Sequence, residues 1–183
     1  MLVVETERLI LRHLRHEDID DLAEIQGDPE VMRHFPSGPR TREETRRDLE
    51  RCIALQAQHG FSLWATVDRA DGRLIGRCGL LPQKLQGADE VEIAYLLARD
   101  RWGLGLATEA ARAVRDLGFG RFGLGRMVSI IDRYNLGSRR VAEKVGLRQE
   151  RVIQFMHHRC MLYAIEADGG GVEAPARGVP SPP

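Results

Sequence analysis

The 183-residue sequence is poor in lysine and in aromatic residues, and it carries no net charge. Its 27 basic residues balance 27 acidic ones, and Lys84 and Lys144 are the only lysines among them. A chain of balanced charge has no overall attraction to a phosphate backbone, so a nucleic-acid-binding protein would need a local basic stripe. The arginines instead alternate with acids, as in TREETRRDLER at 41–51. The composition therefore argues against binding of nucleic acid.

Long apolar runs and a cysteine framework are also absent. The longest apolar run, IAYLLA at 93–98, is far shorter than the roughly 20 residues that span a bilayer, and charge at Glu5 comes too early for a signal peptide. Cys52, Cys78 and Cys160 form an odd set without CxxC spacing, which is typical of reduced thiols in a reducing compartment. We expect a soluble, cytoplasmic protein with no disulfide framework and no membrane partner.

Composition divides the chain into one domain and a tail. Hydrophobic residues make up 43% of the sequence, which is enough for one core of ordinary domain size. The last 16 residues combine glycine, proline and small residues without apolar periodicity, so burial cannot compensate for the entropy of ordering them. We therefore expect a folded domain at 1–167 and a disordered tail at 168–183.

Apolar periodicity predicts an α+β domain. Alternating apolar residues predict strands at 7–14, 61–67, 73–81, 90–97, 127–132, 148–155 and 159–166. Helical spacing and capping signals predict helices near 19–26, from Thr41 to Gly60, over 106–117 and from Ser138 to Val145. This order favours a central mixed, mostly antiparallel sheet flanked by helices.

The most informative segment is the glycine-rich turn DRWGLGLATEA at 100–110. Glycines between a strand and a helix let backbone N–H groups converge on an anion, which favours phosphate binding. A tight turn that needs glycine only for positive φ is the alternative. A P-loop is excluded because Leu106 and Ala107 stand where that motif needs Lys and Ser or Thr. Only about 65 ordered residues follow Gly103, too few for the paired halves of a Rossmann dinucleotide site.

From Glu5 to about Ile165 the sequence resembles the GNAT superfamily of N-acetyltransferases, in particular the branch of ribosomal-protein N-terminal alanine and serine acetyltransferases. Four stretches carry the resemblance: ETERLILRHLRHEDIDDLAEIQGDPEVMRHF at 5–35, IGRCGL at 75–80, EVEIAYLLARDRWGLGLATEAA at 90–111, and YNLGSRRVAEKVGL at 134–147. Similar proteins carry TERLxLR, WGxGxATEA and NxxSxxxxEKxG motifs in this order. The resemblance implies the GNAT acyl-CoA N-acyltransferase fold and acetyl transfer from acetyl-CoA to a primary amine.

The same resemblance implies a site for acetyl-CoA. The family's pyrophosphate loop corresponds to Trp102, Gly103, Leu104, Gly105, Leu106, Ala107 and Thr108. Trp102 replaces the usual Gln or Arg, a departure that is common in this branch. The strand that pairs with the pantetheine arm corresponds to Tyr95, Leu96 and Leu97, and Asn135 matches the asparagine beside that arm. Candidates for the adenine 3′-phosphate, by position only, are Arg99, Arg101, Arg139 and Arg140.

In this family an amine attacks the thioester directly, so the site must stabilise an oxyanion and serve the departing thiolate. A backbone N–H near Leu97 is the implied oxyanion donor. The tyrosine that protonates the thiolate in many members is replaced here by Ala142. Ser138 matches the serine proposed as proton donor in the ribosomal-protein branch, although a serine there can instead cap its helix. Tyr134 is a weaker substitute.

Two kinds of residue are candidates for the general base. Glu92 shares a strand face with apolar residues, although a solvated strand edge is an equal alternative. His157 and His158 have suitable intrinsic pKa values, and strand alternation predicts that one of them points inward. The two histidines and Cys160 lack a second ligand cluster, so no metal site is predicted.

Proton energetics favour one class of acceptor. At neutral pH, deprotonating an α-amine with a pKa near 7.8 costs about 1 kcal/mol, against about 4–5 kcal/mol for a lysine near 10.4. The sequence thus favours a protein N-terminal α-amine. The alternatives are a small-molecule amine, such as an antibiotic, polyamine or amino acid, and a non-catalytic acyl-CoA-binding regulatory module. The expected partners are acetyl-CoA and an amine acceptor, and the expected state is a monomer or homodimer.

Overall fold

The computed structural model describes residues 1–167, and the tail predicted at 168–183 lies outside the described residues. The strands are β1 (Leu2–Glu5), β2 (Leu9–Arg12), β3 (Leu63–Asp68), β4 (Leu74–Leu85), β5 (Ala88–Leu97), β6 (Arg126–Asp132), β7 (Arg148–Phe155) and β8 (His158–Glu166). The α-helices are α1 (Ile19–Gly27), α2 (Pro29–Met32), α3 (Arg42–His59), α4 (Leu106–Gly120) and α5 (Leu136–Val145). Short 3₁₀ turns occupy His16–Asp18 and Arg99–Arg101.

One mixed sheet contains all eight strands of this part of the chain, in the order β1-β2-β3-β4-β5-β6-β8-β7. Neighbouring strands are antiparallel except for β5 and β6, which are parallel. That parallel pair meets at a single register position, where Glu92 lies opposite Val128. The predicted mixed, mostly antiparallel sheet is confirmed, and the separation of β5 from β6 opens a cleft in its middle.

Helices cover both faces of the sheet. On one face, Leu22 of α1 and Leu49 of α3 are buried in a core cluster with Leu81 of β4. On the other face, Val114 of α4 and Val145 of α5 pack in a second cluster. Leu106, Ala110 and Val114 of α4 are buried at helical spacing, as the amphipathic pattern over 106–117 predicts.

The capping signals of α3 form as predicted. The Thr41 hydroxyl accepts a hydrogen bond from the Glu44 N–H at 3.2 Å, and the Glu44 carboxylate accepts one from the Thr41 N–H at 2.8 Å. Gly60 ends the helix with a φ of 76°. These caps fix the direction of α3 as it crosses the sheet and brings Asp48 against β4.

Several boundaries differ from the sequence expectation. The strand predicted at 7–14 is β2, and it forms a hairpin with β1, which was not predicted. The short segment at 2–5 gains its hydrogen bonds only by pairing with its neighbour. The hairpin of β4 and β5 is longer than predicted, since Gln86 and Gly87 both take positive φ and form a two-residue turn. Helix α5 begins at Leu136 instead of Ser138.

Cys52, Cys78 and Cys160 are free and buried. No helix within residues 1–167 has the length and apolarity needed to cross a membrane.

Candidate active site

The turn between β5 and α4, here called the anion loop (residues 102–108), has the backbone shape that the glycines predict. Gly103 and Gly105 take φ values of 77° and 80°. Gly105 is the N-cap of α4 and, as a glycine, has no side chain of its own to cap the first N–H groups of the helix. The first N–H groups of an α-helix have no intrahelical acceptor and lie at its positive end. The loop therefore suits a pyrophosphate, the group through which acetyl-CoA would be held there.

The N-terminal hairpin supports the anion loop through two side chains. Arg8 Nη1 donates to the Leu104 carbonyl at 2.9 Å, and Arg8 Nε donates to Glu109 at 2.7 Å. Thr6 donates its hydroxyl to the same Glu109 carboxylate at 2.6 Å. The TERL and ATEA motifs are thus the two halves of one contact, which gives a physical reason for their joint occurrence.

Trp102 also supports the loop. Its indole Nε1–H donates to the carbonyl of Leu97 at 2.9 Å, while the side chain stays 46% exposed. This bond ties the start of the loop to the end of β5. The departure from Gln or Arg at position 102 therefore replaces a polar side chain with another hydrogen-bond donor.

The four arginines proposed for the adenine 3′-phosphate differ in availability. Arg101 donates to Asp68 at 2.7 Å and to Asp71 at 2.6 Å, so it is held by two carboxylates. Arg139 donates to the Tyr163 hydroxyl at 3.1 Å. Arg99 and Arg140 are exposed. The structure thus leaves the last two as the better candidates, while Arg101 serves to fix the turn before the anion loop.

A cavity of about 530 Å³, here called the central cavity, lies where β5 and β6 separate. It brings together five of the residues singled out from the sequence: Glu92, Tyr95, Leu96, Asn135 and Ser138. Its far walls come from the segment that joins α2 to α3 and from the β7–β8 hairpin. Tyr95 and Leu96 line this cavity and pair with β4 only, since β5 meets β6 at Glu92 alone. The other backbone edge of β5 at these residues is the edge expected to meet the pantetheine arm.

Glu92 is buried, with 9% of its surface exposed, so the alternative of a solvated strand edge is wrong. Its Oε2 accepts a hydrogen bond from Gln83 Nε2 at 2.7 Å, and its Oε1 accepts one from the Ile130 N–H at 3.3 Å. Burial raises the pKa of Glu92 to about 7, and the two hydrogen bonds oppose that rise only in part. A carboxyl group with this pKa can exchange a proton near neutral pH.

Ser138 lines the central cavity but does not cap α5. The cap is Asn135, whose Oδ1 accepts from the Ser138 N–H at 3.0 Å. The Ser138 carbonyl accepts from the Tyr95 hydroxyl at 2.8 Å, and its own hydroxyl has no hydrogen-bond partner within residues 1–167. The capping interpretation of Ser138 is therefore wrong, and the hydroxyl is free to meet a ligand. Tyr134, its weaker substitute, is 65% exposed beside Arg133.

The structure does not bring His157 into the central cavity. His157 and His158 are both exposed, so the expectation that one of them points inward is wrong. Met156 and His157 take positive φ and form the two-residue turn between β7 and β8, where strand alternation no longer applies. No group of three metal-ligating side chains is found in the part of the chain that the structure describes.

Several cavity residues were missed by the sequence reasoning. His34 places Nδ1 3.2 Å from Asp132 Oδ1 and accepts at Nε2 from Arg33 Nε, which assigns the ring hydrogen to Nδ1. Asp48 and Arg77 form a buried ion pair on the opposite wall. For Asp48 and Arg77 the sequence contains one signal, a charged residue within an apolar pattern. Asp48 precedes the inward-facing Leu49, and Arg77 interrupts the apolar strand IGRCGL.

Comparison with known proteins agrees with this geometry. The family model "Acetyltransferase (GNAT) domain" matches residues 8–148. The chain belongs to this GNAT family. It is 37% identical over 159 residues to the uncharacterized protein YkkB of Bacillus subtilis (strain 168), a match that covers 86% of this chain and 92% of YkkB. A crystal structure of a GNAT-family acetyltransferase from Bacillus anthracis aligns with a TM-score of 0.76 at 26% identity, over 91% of this chain and 98% of that one.

As a GNAT member the chain is an acyltransferase, and acetyl-CoA is its acetyl donor. The non-catalytic module therefore drops out. The ribosomal-protein branch is not distinguished from others, because two more distant CoA complexes share the fold: RimL, a ribosomal L7/L12 α-N-protein acetyltransferase (TM-score 0.75, 17% identity, 91% of this chain and 98% of that one), and the aminoglycoside acetyltransferase AAC(6')-Ib (0.71, 16%, 86% and 94%).

Proposed function

We propose that this GNAT enzyme acetylates an amine of low basicity, the α-amine of a peptide or protein N-terminus, with Glu92 as the general base. The observation that carries the proposal is the position of Glu92. It is the carboxyl group at the point where β5 and β6 separate, it lines the central cavity, and burial raises its pKa to about 7.

The pKa of Glu92 supports an α-amine over a lysine. General base catalysis is most effective when the base and the proton donor have similar pKa values near the working pH. An α-amine at about 7.8 lies within about one unit of Glu92, whereas a lysine at about 10.4 lies more than three units above it. Glu92 would therefore be too weak a base to deprotonate a lysine efficiently at neutral pH.

The other residues complete the proton inventory. Acetyl-CoA supplies the acetyl group already activated as a thioester. Glu92 takes one proton from the attacking amine, and the Ser138 hydroxyl gives one to the departing sulfur. Solvent then accepts the proton held by Glu92 and protonates Ser138 again, so both groups return to their starting states. A backbone N–H near Leu97 remains the proposed donor to the carbonyl oxygen, and the anion loop holds the pyrophosphate. Charge is thus balanced without a metal ion among the groups invoked.

A small-molecule amine is the second candidate acceptor. The observation that favours it is the size of the central cavity, because about 530 Å³ is typical of a small-ligand site. A small amine of low basicity would require the same proton transfer as the α-amine, so these two acceptors would differ only in what fills the rest of the cavity.

The test is thiol release from acetyl-CoA with peptides that begin with Ala or Ser and, separately, with a panel of small amines. We expect release with the peptides, and a kcat/KM that rises with pH through about 7 as Glu92 ionises. Glu92→Gln should lower kcat by about 100-fold and leave only the rise near pH 7.8 that comes from ionisation of the α-amine itself, while CoA still binds.

The matched control is Glu50→Gln on the exposed face of α3, which should leave both the rate and the pH profile unchanged. Unaltered turnover in Glu92→Gln would remove Glu92 from the proposal. Release with small amines alone would establish the second candidate instead.

A further inference from the structure

Three arginines surround one carboxylate on the α3 wall of the central cavity. Asp48 Oδ2 accepts from Arg77 Nη1 and lies 2.6 Å from Arg40 Nη1, and Asp48 Oδ1 accepts from Arg51 Nη2 at 3.0 Å. Arg77 is 6% exposed and Asp48 is 7% exposed. All four side chains line the cavity that contains Glu92.

The charges of this cluster do not balance. Although burial raises the pKa of Asp48, Arg77 and Arg40 hold it well below its usual range, so Asp48 is ionised. It is the only carboxylate paired with these guanidinium groups within residues 1–167, which leaves two positive charges on the wall. The Nη2 atoms of Arg77 and Arg40 make no hydrogen bond in the same part of the chain, and neither atom is fully buried, so both remain accessible to a ligand.

A surplus of this kind suits an anion. A guanidinium group presents its donors in a planar fork that matches a carboxylate, and such charge-assisted bonds are among the strongest in proteins. An acceptor with several positive charges would meet repulsion on the same wall. The cavity therefore has a positive wall and, at the separation of β5 from β6, a proton-accepting carboxyl group.

Strand register gives the distance between these two features. In the β4–β5 ladder Arg77 lies opposite Leu96, and Leu81 lies opposite Glu92. Arg77 and Glu92 therefore share one face of the sheet, four residues or about 13 Å apart along the strands. A hydrogen bond at each end of the acceptor covers about 3 Å, so two or three residues of extended peptide, at about 3.3 Å each, would bridge the rest.

We propose that the acceptor carries a carboxylate at a distance of two or three peptide residues from its amine, and that Arg40 and Arg77 bind this carboxylate while the amine lies at Glu92. The inference rests on the proposed function and names its substrate class. The carboxylate has two sources, the free C-terminus of a short peptide or an acidic side chain near the N-terminus of a longer one.

Matched pairs of acceptors with wild-type enzyme test the proposal. The first pair is the peptide Ser-Ala-Ala with a free C-terminus and its C-terminal amide. The second pair is Ser-Ala-Glu-Ala-amide and Ser-Ala-Gln-Ala-amide. The third pair, 6-aminohexanoate and hexylamine, carries the same contrast on a small amine. We expect kcat/KM to be at least tenfold higher for the carboxylate member, and the pair with the larger ratio identifies the source.

The pairs separate the two hypotheses. If the peptides are not acetylated but 6-aminohexanoate is preferred to hexylamine, the α-amine proposal fails and the carboxylate inference stands. If the members of every pair react equally, or the neutral members react faster, the carboxylate inference is overturned. It is overturned as well if no pair reacts.

A variant then locates the contact. Arg40→Gln leaves Asp48 with Arg77 and Arg51, and it should reduce the carboxylate preference to less than twofold, mainly through KM. CoA affinity verifies that the variant is folded, and Arg47→Gln on the exposed side of α3 is the control that should keep the full preference. If Arg40→Gln keeps the full preference, the assignment of Arg40 is overturned, and the wild-type pairs remain decisive if that variant does not fold.

Discussion

The two parts of the proposed site, the anion loop as the donor end and the central cavity as the acceptor end, are built from different chemical groups. At the donor end, Gly103 and Gly105 turn the backbone so that N–H groups at the start of α4 are available to an anion. At the acceptor end, the wall consists of side chains such as Glu92, Asp48 and Arg77, which come from three separate elements. A backbone site is shared by every sequence that can make the turn, whereas a side-chain site changes with one substitution. On this proposal the donor end depends on backbone shape, and the acceptor end depends on the particular side chains of this chain.

The strongest way to break this comparison is Gly105→Val. At a φ of 80° a β-branched residue is strained, and straightening the backbone would turn the N–H groups away from the anion. Loss of two charge-assisted hydrogen bonds, about 4 kcal/mol, should raise the Kd for CoA about 1,000-fold in a calorimetric titration. Gly120→Ala, in an ordinary helical conformation with open space around it, should leave the Kd unchanged. Wild-type affinity in Gly105→Val would show that the donor end does not depend on its backbone shape.

The next largest effect concerns stability at the acceptor end. The folded state raises the pKa of Glu92 from 4.5 to about 7, so it binds that proton more tightly than the unfolded chain. The contribution of Glu92 to the free energy of unfolding is therefore fully present below about pH 4.5. It is lost as pH rises through about 7, by about 3 kcal/mol in all. Urea unfolding should show that Glu92→Gln removes this loss, so that the variant gains stability relative to wild type between pH 5 and pH 8. Parallel pH curves for the two proteins would contradict the burial argument.

A smaller effect is expected where the two ends meet. Ser138→Ala should lower kcat roughly tenfold, less than is typical for a general acid, because a thiol with a pKa near 8.5 departs with little help. CoA affinity should not change, since the Ser138 backbone keeps its bonds to Asn135 and Tyr95. Stopped-flow measurement of thiol release, repeated over a range of acetyl-CoA concentrations, gives both the rate and the affinity. Equal kcat in the two proteins would remove the hydroxyl from the mechanism.

The smallest effect sharpens the donor end. Arg8→Gln removes the bond to the Leu104 carbonyl and the ion pair with Glu109, but the Arg8 side chain is 46% exposed, so the loss is about 1 kcal/mol. We expect about a fivefold rise in the Kd for CoA. Glu7→Gln, an exposed neighbour, is the control and should have no effect. If both variants bind CoA equally well, the N-terminal hairpin does not support the loop.

The same difference explains which parts of the molecule were predictable. The anion loop was predictable because its requirement, glycine at positive φ before a helix, is local in the chain. The pairing of Asp48 with Arg77 was not, because 29 residues separate them and their contact depends on how α3 crosses β4. Strand β1 was missed since it is stabilised by its partner strand, and His157 was misplaced because a tight turn interrupts the strand alternation.

The bond from Trp102 to the Leu97 carbonyl has an optical consequence. The chain has two tryptophans, and Trp64 is buried in the core at 1% exposure, donating to Gln56. Trp102 is 46% exposed and stands at the first residue of the anion loop. Intrinsic fluorescence of the unlabelled protein therefore combines the emission of the buried Trp64 with that of the exposed Trp102. We expect a ligand that occupies the loop to change the emission of Trp102 alone.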